Sequence, residues 1–290
     1  MSIFNGQGKL LANGACIEDT YTKDLAPQHG MAKVYSGITN QRVRSVASKE
    51  GTVSVDFTIR MMWQDPGIKT KPSDEDMKKG GMVLSNDAIN HIWIPDLYIL
   101  NQKSFESKDH WTFLKDAQIL TTPPQITLDE NKSNKTAPTV EITYDIKCTV
   151  YCKFHHSSYP MDNQTCLVKM GSISHGAVFV LDIRLEHSKR STMQITSDFI
   201  MVMTLFDQKT GHGKNKIGIK IEMDRKLSSF MLQYYIPCIA IVLISQLSYV
   251  IPVTAIPGRV SLLLTLFLTL VNLFIHQMVS ACYGKILDFL

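Results

Sequence analysis

Five polar residues fall on one stripe of an otherwise apolar segment: Ser261, Thr265, Thr269, Asn272 and His276. On a helix turning 100° per residue they lie within about 80° of arc, opposite Leu, Val, Phe and Ile. A lone helix in lipid gains nothing from such a stripe. It gains if the stripe faces water or partner helices. Leu268 falls on the same stripe and would form a hydrophobic ring if several copies surrounded an axis, which is how a pore closes by dewetting. The other use of the stripe is a Ser/Thr contact between packed helices, and periodicity does not choose between the two. Arg259 heads the segment, preceded by Pro257 and Gly258. It either puts positive charge at the mouth of a narrow passage or marks a membrane boundary.

Cysteine and histidine supply the other reactive groups. Cys152 and Cys166 enclose thirteen residues, and a bridge between them would close a loop worth about 3 kcal/mol in chain entropy. Cys148 competes for Cys166, so spacing leaves the pairing open. Histidine is plentiful, with nine copies, and it is the residue type whose unperturbed charge change falls in the physiological range. His155 and His156 are adjacent, point oppositely on a strand, and so would not chelate one ion together. There is no nucleophile elbow, no His-Glu-x-x-His pattern and no phosphate-binding Gly loop, which excludes the common enzyme classes; no cofactor is expected. The net charge of +4 is not gathered into a basic stripe, so nucleic acid is not a partner.

The elements that must position these groups fall into two unlike parts. All but three charged side chains, Arg259, Lys285 and Asp288, precede residue 227. Leu227 to Gly258 is a run of 32 residues without charge, and its centre, Phe230 to Val253, is long enough to cross about 30 Å of hydrocarbon as a helix. Pro237 lies inside it and is tolerated there because neighbours can satisfy the freed carbonyl. Pro252 and Pro257-Gly258 mark a break, and a second apolar run extends from Val260 to about Val279. Before the membrane the chain alternates: Val53, Val55, Phe57 and Ile59 share one face, as do Val140, Ile142, Tyr144 and Ile146. Ile217 to Met223 repeats the pattern, and Pro/Gly turns separate the runs. The expected fold is a β-sandwich over 31–226 followed by transmembrane helices at 227–253 and 258–279, with an N-terminal segment 1–30 and a tail 280–290. Met1 to Cys16 has no apolar core of a secretory signal, so either the sequence begins inside a longer chain or the first membrane helix directs insertion. Sequons at Asn131, Asn134 and Asn163 point to an extracellular location.

Cys152, then Tyr159-Pro160-Met161-Asp162, then Cys166 resembles the signature loop of the Cys-loop receptors, the pentameric ligand-gated ion channels of animals. Trp63-Gln-Asp65-Pro66, Trp93-Ile-Pro95-Asp96 and Gln233-Tyr-Tyr-Ile236-Pro237 are similar to further family motifs, in the family's order. Ile256 to Asn272 looks closest to arthropod pH- or zinc-gated chloride channels and is similar to glycine and GABA receptors. The resemblance implies a Cys152–Cys166 disulfide, and five homologous subunits whose second membrane helices line the pore. Ser261, Thr265 and Asn272 would then line the ion path, with Leu268 as its gate. Cation channels of the family place Glu just before the Arg or Lys that opens this helix. Here Gly258 stands there, after Pro257 and before Arg259, which implies chloride.

Agonist sites in the family lie between subunits. By position, Arg60 resembles the arginine that grips an agonist carboxylate, Tyr98 fits the first loop, Ser172, Ile173 and His175 the second, and Phe206 and Thr210 the last. Ile173 departs from the family's aromatic residue, and the second disulfide of glycine receptors is missing. Among the agonist classes of the family (amino acid, amine, proton or zinc) these departures speak against a standard amino acid and leave a proton or zinc, with His175 and His212 as the candidate zinc ligands. Coupling to the pore would use Tyr159 and Pro160 at the loop tip and an acid–base cluster of Glu50, Asp162 and Arg225. The family has four membrane helices; two lie within this sequence, which implies a multi-pass plasma-membrane protein in the lipid bilayer with its N-terminal domain outside. The alternative is a non-conducting subunit that binds ligand or suppresses complete subunits.

Overall fold

The computed structural model describes residues 9–12, 14–18, 20–27, 32–48, 50–105, 114–120, 137–173, 176–182, 191–208, 215–252 and 254–287. In chain order the first part gives β1 (Lys9–Ala12), β2 (Ala15–Ile17), β3 (Ala32–Ala47), β4 (Thr52–Gln64), β5 (Ile68–Thr70), helix α1 (Asp74–Lys79), β6 (Gly81–Val83), helix α2 (Asn86–Ile89), β7 (Leu97–Ile99), β8 (Gln102–Phe105) and β9 (Leu114–Leu120). There follow β10 (Thr139–Tyr151), β11 (Asn163–Ser172), β12 (Ala177–Leu181), β13 (Ser191–Ile195), β14 (Phe199–Gln208) and β15 (Lys216–Arg225). Two sheets dominate. One has the order β12-β3-β4-β10-β9-β6, with β8 also on β10; the other runs β13-β14-β15-β11-β7. A small sheet, β1-β2-β5, stands beside them.

The alternation expected from sequence is the alternation observed. β4 and β10 pair antiparallel without a slip from Thr139↔Gln64 to Tyr151↔Thr52. Val53, Val55, Phe57, Ile59, Met61 and Trp63 are sealed on the inward face of β4, as are Ile142, Cys148 and Val150 on β10. They belong to one core with Val168 and Met170 of β11 and Ile217, Ile219, Ile221 and Met223 of β15. Period-2 patterning fixes register here, because a one-residue slip would turn this whole set to water. Trp63 and Trp93 meet edge to face at 5.9 Å inside the same core. Tyr21 donates to buried Asp65 (2.6 Å) and accepts from the Trp93 N–H (2.8 Å), which ties the N-terminal strands to both Trp motifs.

The two sheets are also joined by a side chain acting as backbone. Gln194 of β13 accepts from the Val43 N–H and donates to the Val43 carbonyl of β3, both at 2.8 Å. Thr192 adds a bond to Gln41 at 3.1 Å. Gln194→Ala removes both partners of Val43. It should cost about 1–3 kcal/mol in a thermal or urea unfolding experiment, whereas Met193→Ala, at an exposed position on the same strand, should be near neutral.

After Arg225 the chain becomes helical at once. Helix α3 (Leu227–Phe230) passes into a π-helical turn (Met231–Tyr235), helix α4 (Ile236–Gln246) and a 3₁₀ turn (Leu247–Tyr249). The wide turn lies just before Pro237, whose ring and missing N–H do not fit an α-helical interior. The helical run is thus continuous over 227–249 and ends a few residues before the expected 253; within it Ile236–Tyr249 is a shorter apolar helix. Helix α5 (Ile256–Leu287) is uninterrupted, and the stretch Ile256–Ile275 is long and apolar enough to cross a membrane. It runs on through most of the segment expected as a separate tail.

Candidate functional site

The outward face of the five-stranded sheet carries the first group of candidate ligand residues. Tyr98 pairs with Gly171, and Phe206 pairs with Gly218, which pairs with Lys169. Alternation puts Tyr98, Gly171, Lys169, Gly218 and Phe206 on one face, opposite buried Ile99, Met170 and Ile217. Gly218 is required by close approach: a Cβ there would collide with the carbonyl oxygen of Val168 and stand 2.9 Å from the Phe206 ring. Tyr98 is exposed, as is Ile173. Ser172 donates to Asp96 (2.6 Å), and the same carboxylate accepts from the Ile173 N–H (2.9 Å). Asp96 of the Trp-x-Pro-Asp segment therefore sets the shape of the loop that follows β11. His175, Thr210 and His212, and with them the candidate zinc pair, lie outside the described residues, as do Asn131 and Asn134.

Arg60 lies on the outward face of β4, in the other sheet. Its guanidinium donates to Glu141 at 2.6 Å, and Glu141 also accepts from Gln118 at 3.1 Å. Glu141 is all but sealed, with 4% of its side chain exposed against 26% for Arg60. Sequence reading missed Glu141, although its place is legible: Thr143 lies opposite Arg60, so Glu141 is its diagonal neighbour on the same face.

The loop between Cys152 and Cys166 forms the third site. The two cysteines are bridged, with Cα atoms 5.2 Å apart, while Cys148 is buried in β10 outside the bridge. Gln164 staples the loop, accepting from the His155 N–H (2.8 Å) and donating to the His155 carbonyl (2.6 Å) and to Asp162 (2.7 Å). Asp162, buried, receives Arg225 through Nε at 2.6 Å and a second guanidinium nitrogen at 3.2 Å. The Arg225 guanidinium lies 4.6 Å from the centre of the Phe199 ring and 5.0 Å from that of Tyr159. Burial alone would raise the Asp162 carboxyl; the hydrogen bonds from Arg225 and Gln164, with the Arg225 charge, outweigh it and hold the group below its ordinary value. Lys226 continues the clamp, its N–H donating to the Asp198 carbonyl (2.8 Å) and its ammonium to that of Thr196 (2.5 Å). Burial raises the Tyr159 phenol, and the Arg225 charge opposes this.

Glu50 does not join this cluster. It lies in the turn between β3 and β4 and pairs with Lys103 of β8 at 2.9 Å. The expected triad is therefore a pair, Asp162–Arg225, and the reason is topological: β8 pairs with β10 and brings Lys103 to the turn first. The loop tip also differs in detail, since Met161 is its most exposed apolar residue while Tyr159 and Pro160 are half-buried. Asn163 is exposed and donates to Asp224 across the β11–β15 pair.

Ser261, Thr265, Leu268 and Asn272 are all exposed on α5. The Thr265 and Thr269 hydroxyls donate to the carbonyls of Leu262 (2.9 Å) and Leu266 (2.7 Å), so they cost the helix no unpaired donor in an apolar setting. Arg259 folds back, its Nε donating to the Ile251 carbonyl at 2.9 Å and a second nitrogen reaching the same oxygen. It thereby closes the turn between the helices. Pro257 and Gly258 lie exposed in the first turn of α5.

Residues 14–226, the whole two-sheet part, match the family of neurotransmitter-gated ion-channel ligand-binding domains. The chain belongs to this family. Among curated relatives, the gamma-aminobutyric acid receptor subunit alpha-6 of Gallus gallus is 25% identical over 289 residues, covering 93% of this chain and 57% of that protein. The gamma-aminobutyric acid receptor subunit pi of Rattus norvegicus is 24% identical over 284 residues, covering 92% of this chain and 59% of that protein. The chain thus spans less than two thirds of the length of these relatives. The family is one of receptors, in keeping with a sequence that carries none of the common enzyme signatures.

Proposed function

We propose that the chain is a subunit of a ligand-gated, chloride-selective channel in which five homologous subunits surround an axis. An agonist binds between subunits at Arg60, Tyr98, Ser172, His175, Phe206 and Thr210. The Cys152–Cys166 loop and the Asp162–Arg225 pair pass the change to the membrane, and α5 opens. Ser261, Thr265 and Asn272 line the path, Leu268 gates it, and Pro257, Gly258 and Arg259 set the sign of the ion. The protein sits in the plasma membrane with its sheets outside, where Asn163, Asn131 and Asn134 accept glycans.

The observation that carries this reading is the clamp at the end of β15. The last strand residue, Arg225, is fixed to a loop of the ligand-binding domain two residues before α3 begins, so movement of the loop is transmitted to the helix. The family match and the polar stripe of α5 support the two ends of that path.

Cysteine scanning of α5 tests it. In chains assembled alone or with a full-length relative, Ser261→Cys, Thr265→Cys and Asn272→Cys should react with a water-borne thiol reagent, and the reaction should block agonist-evoked current. Phe267→Cys, on the opposite side of the helix, should resist. Shielding of the three stripe positions in an assembled oligomer removes the pore reading and leaves the subunit as a non-conducting ligand-binding protein.

A further inference from the structure

We infer that Glu141 is a specificity-determining residue: it occupies the Arg60 guanidinium as an internal carboxylate and excludes carboxylate-bearing agonists from this face. The inference rests on the reading of Arg60 as part of the agonist site and names the ligand class that site takes. An arginine grips a ligand carboxylate only if its charge is available. Here the charge is spent within the sheet, at 2.6 Å, on a carboxylate that is almost fully buried and therefore depends on it. Gln118 holds the other Glu141 oxygen at 3.1 Å, so the carboxylate is fixed from two strands and does not swing aside at low cost.

Arg60 has five N–H donors, so hydrogen bonding alone would leave room for a second carboxylate. Charge does not. The positions flanking Arg60 on this face bring Asp145 and Asp116 as well as Glu141: Asp145 accepts from Thr58 at 2.6 Å, and Asp116 lies opposite Thr143, which lies opposite Arg60. A ligand carboxylate would compete with buried Glu141 for this one guanidinium, on a face that already carries Asp145 and Asp116. The ligand end that meets Arg60 therefore carries no carboxylate. An alcohol end, whose oxygen accepts from the guanidinium without adding charge, fits this pattern and an amino-acid carboxylate does not.

The test uses a matched pair of probes, 4-aminobutyrate and 4-aminobutan-1-ol, on the full chain assembled in detergent, with binding read by thermal stabilisation. Glu141→Gln keeps the shape and removes the charge; Glu141→Thr, a second variant, shortens the side chain. Wild type should show no binding of 4-aminobutyrate in the millimolar range. Both variants should gain it by roughly 10- to 100-fold, the worth of a charge-assisted hydrogen bond, without a gain for the amino alcohol. The double variant Arg60→Gln/Glu141→Gln should lose the gain. Arg60 reactivity toward phenylglyoxal, followed by mass spectrometry, should rise in the single variants whether or not a ligand binds. Wild type binding 4-aminobutyrate through Arg60 overturns the inference. So does unchanged phenylglyoxal reactivity, which places the fault in the Arg60–Glu141 pair. Raised reactivity without carboxylate binding overturns it too, and places the fault in the reading of Arg60 as an agonist contact.

Discussion

Arg225→Ala should destabilise the ligand-binding domain by about 3–5 kcal/mol, the cost of stranding a buried carboxylate, and should uncouple agonist binding from opening. Asp162 would keep Gln164 at 2.7 Å and His156 at 4.0 Å, and would lose both guanidinium bonds. The rings of Phe199 and Tyr159 would lose the cation that lies over them. Arg225→Lys restores charge without the fork and should recover part of the loss. The pH dependence separates this cause from lost packing. In the wild type the folded Asp162 titrates below its ordinary 3.8, so the stability it confers is present above about pH 4 and is lost as pH falls through the folded value. In Arg225→Ala the guanidinium's lowering is gone, so the folded carboxyl titrates higher than in the wild type and acidification costs the variant less stability. The gap between the two proteins should narrow on acidification toward pH 4 in thermal unfolding. A gap that does not change with pH would assign the loss to packing.

Deleting Pro257 together with Gly258→Glu should carry the reversal potential from the chloride equilibrium potential to that of the permeant cation. Gly258 is exposed, and a Cβ built there meets nothing within 4 Å, so position 258 has room for a side chain. Arg259 beside it is held to the Ile251 carbonyl, which fixes one guanidinium per subunit at the start of α5. Five carboxylates set at the same level would reverse the field in a narrow passage. At contact distance each opposite charge is worth about 1–4 kcal/mol between water and a protein surface, enough to exchange the favoured ion. A reversal potential that stays with chloride would show that ion sign is set elsewhere in the pore.

Glu141, Glu50 and Cys148 show where reading from sequence stops. Each was visible as a residue type on a strand or turn, yet its partner was not. Arg60 reads as the grip for an agonist carboxylate, and β10 sets Glu141 diagonally beside it as a carboxylate of its own. Glu50 reads as part of the junction until β8 delivers Lys103. Cys148 and Cys152 are equally placed for Cys166 by spacing, and Cα separation selects Cys152. The candidates Tyr98 and Phe206 come from the resemblance by position, and the sheet register sets them on one face.

What the sequence determined by itself is what periodicity and composition encode locally. Alternation at 53–59, 140–146 and 217–223 specified strands and their buried faces, because burying the other face would cost every apolar side chain at once. The charge-free runs after Lys226 specified helices able to satisfy their own backbone away from water. The tertiary structure alone decided which charges neutralise one another and which cysteines bond. Coulombic and covalent partners are chosen by distances of a few ångströms between strands far apart in the chain, and those distances exist only after the sheets have formed.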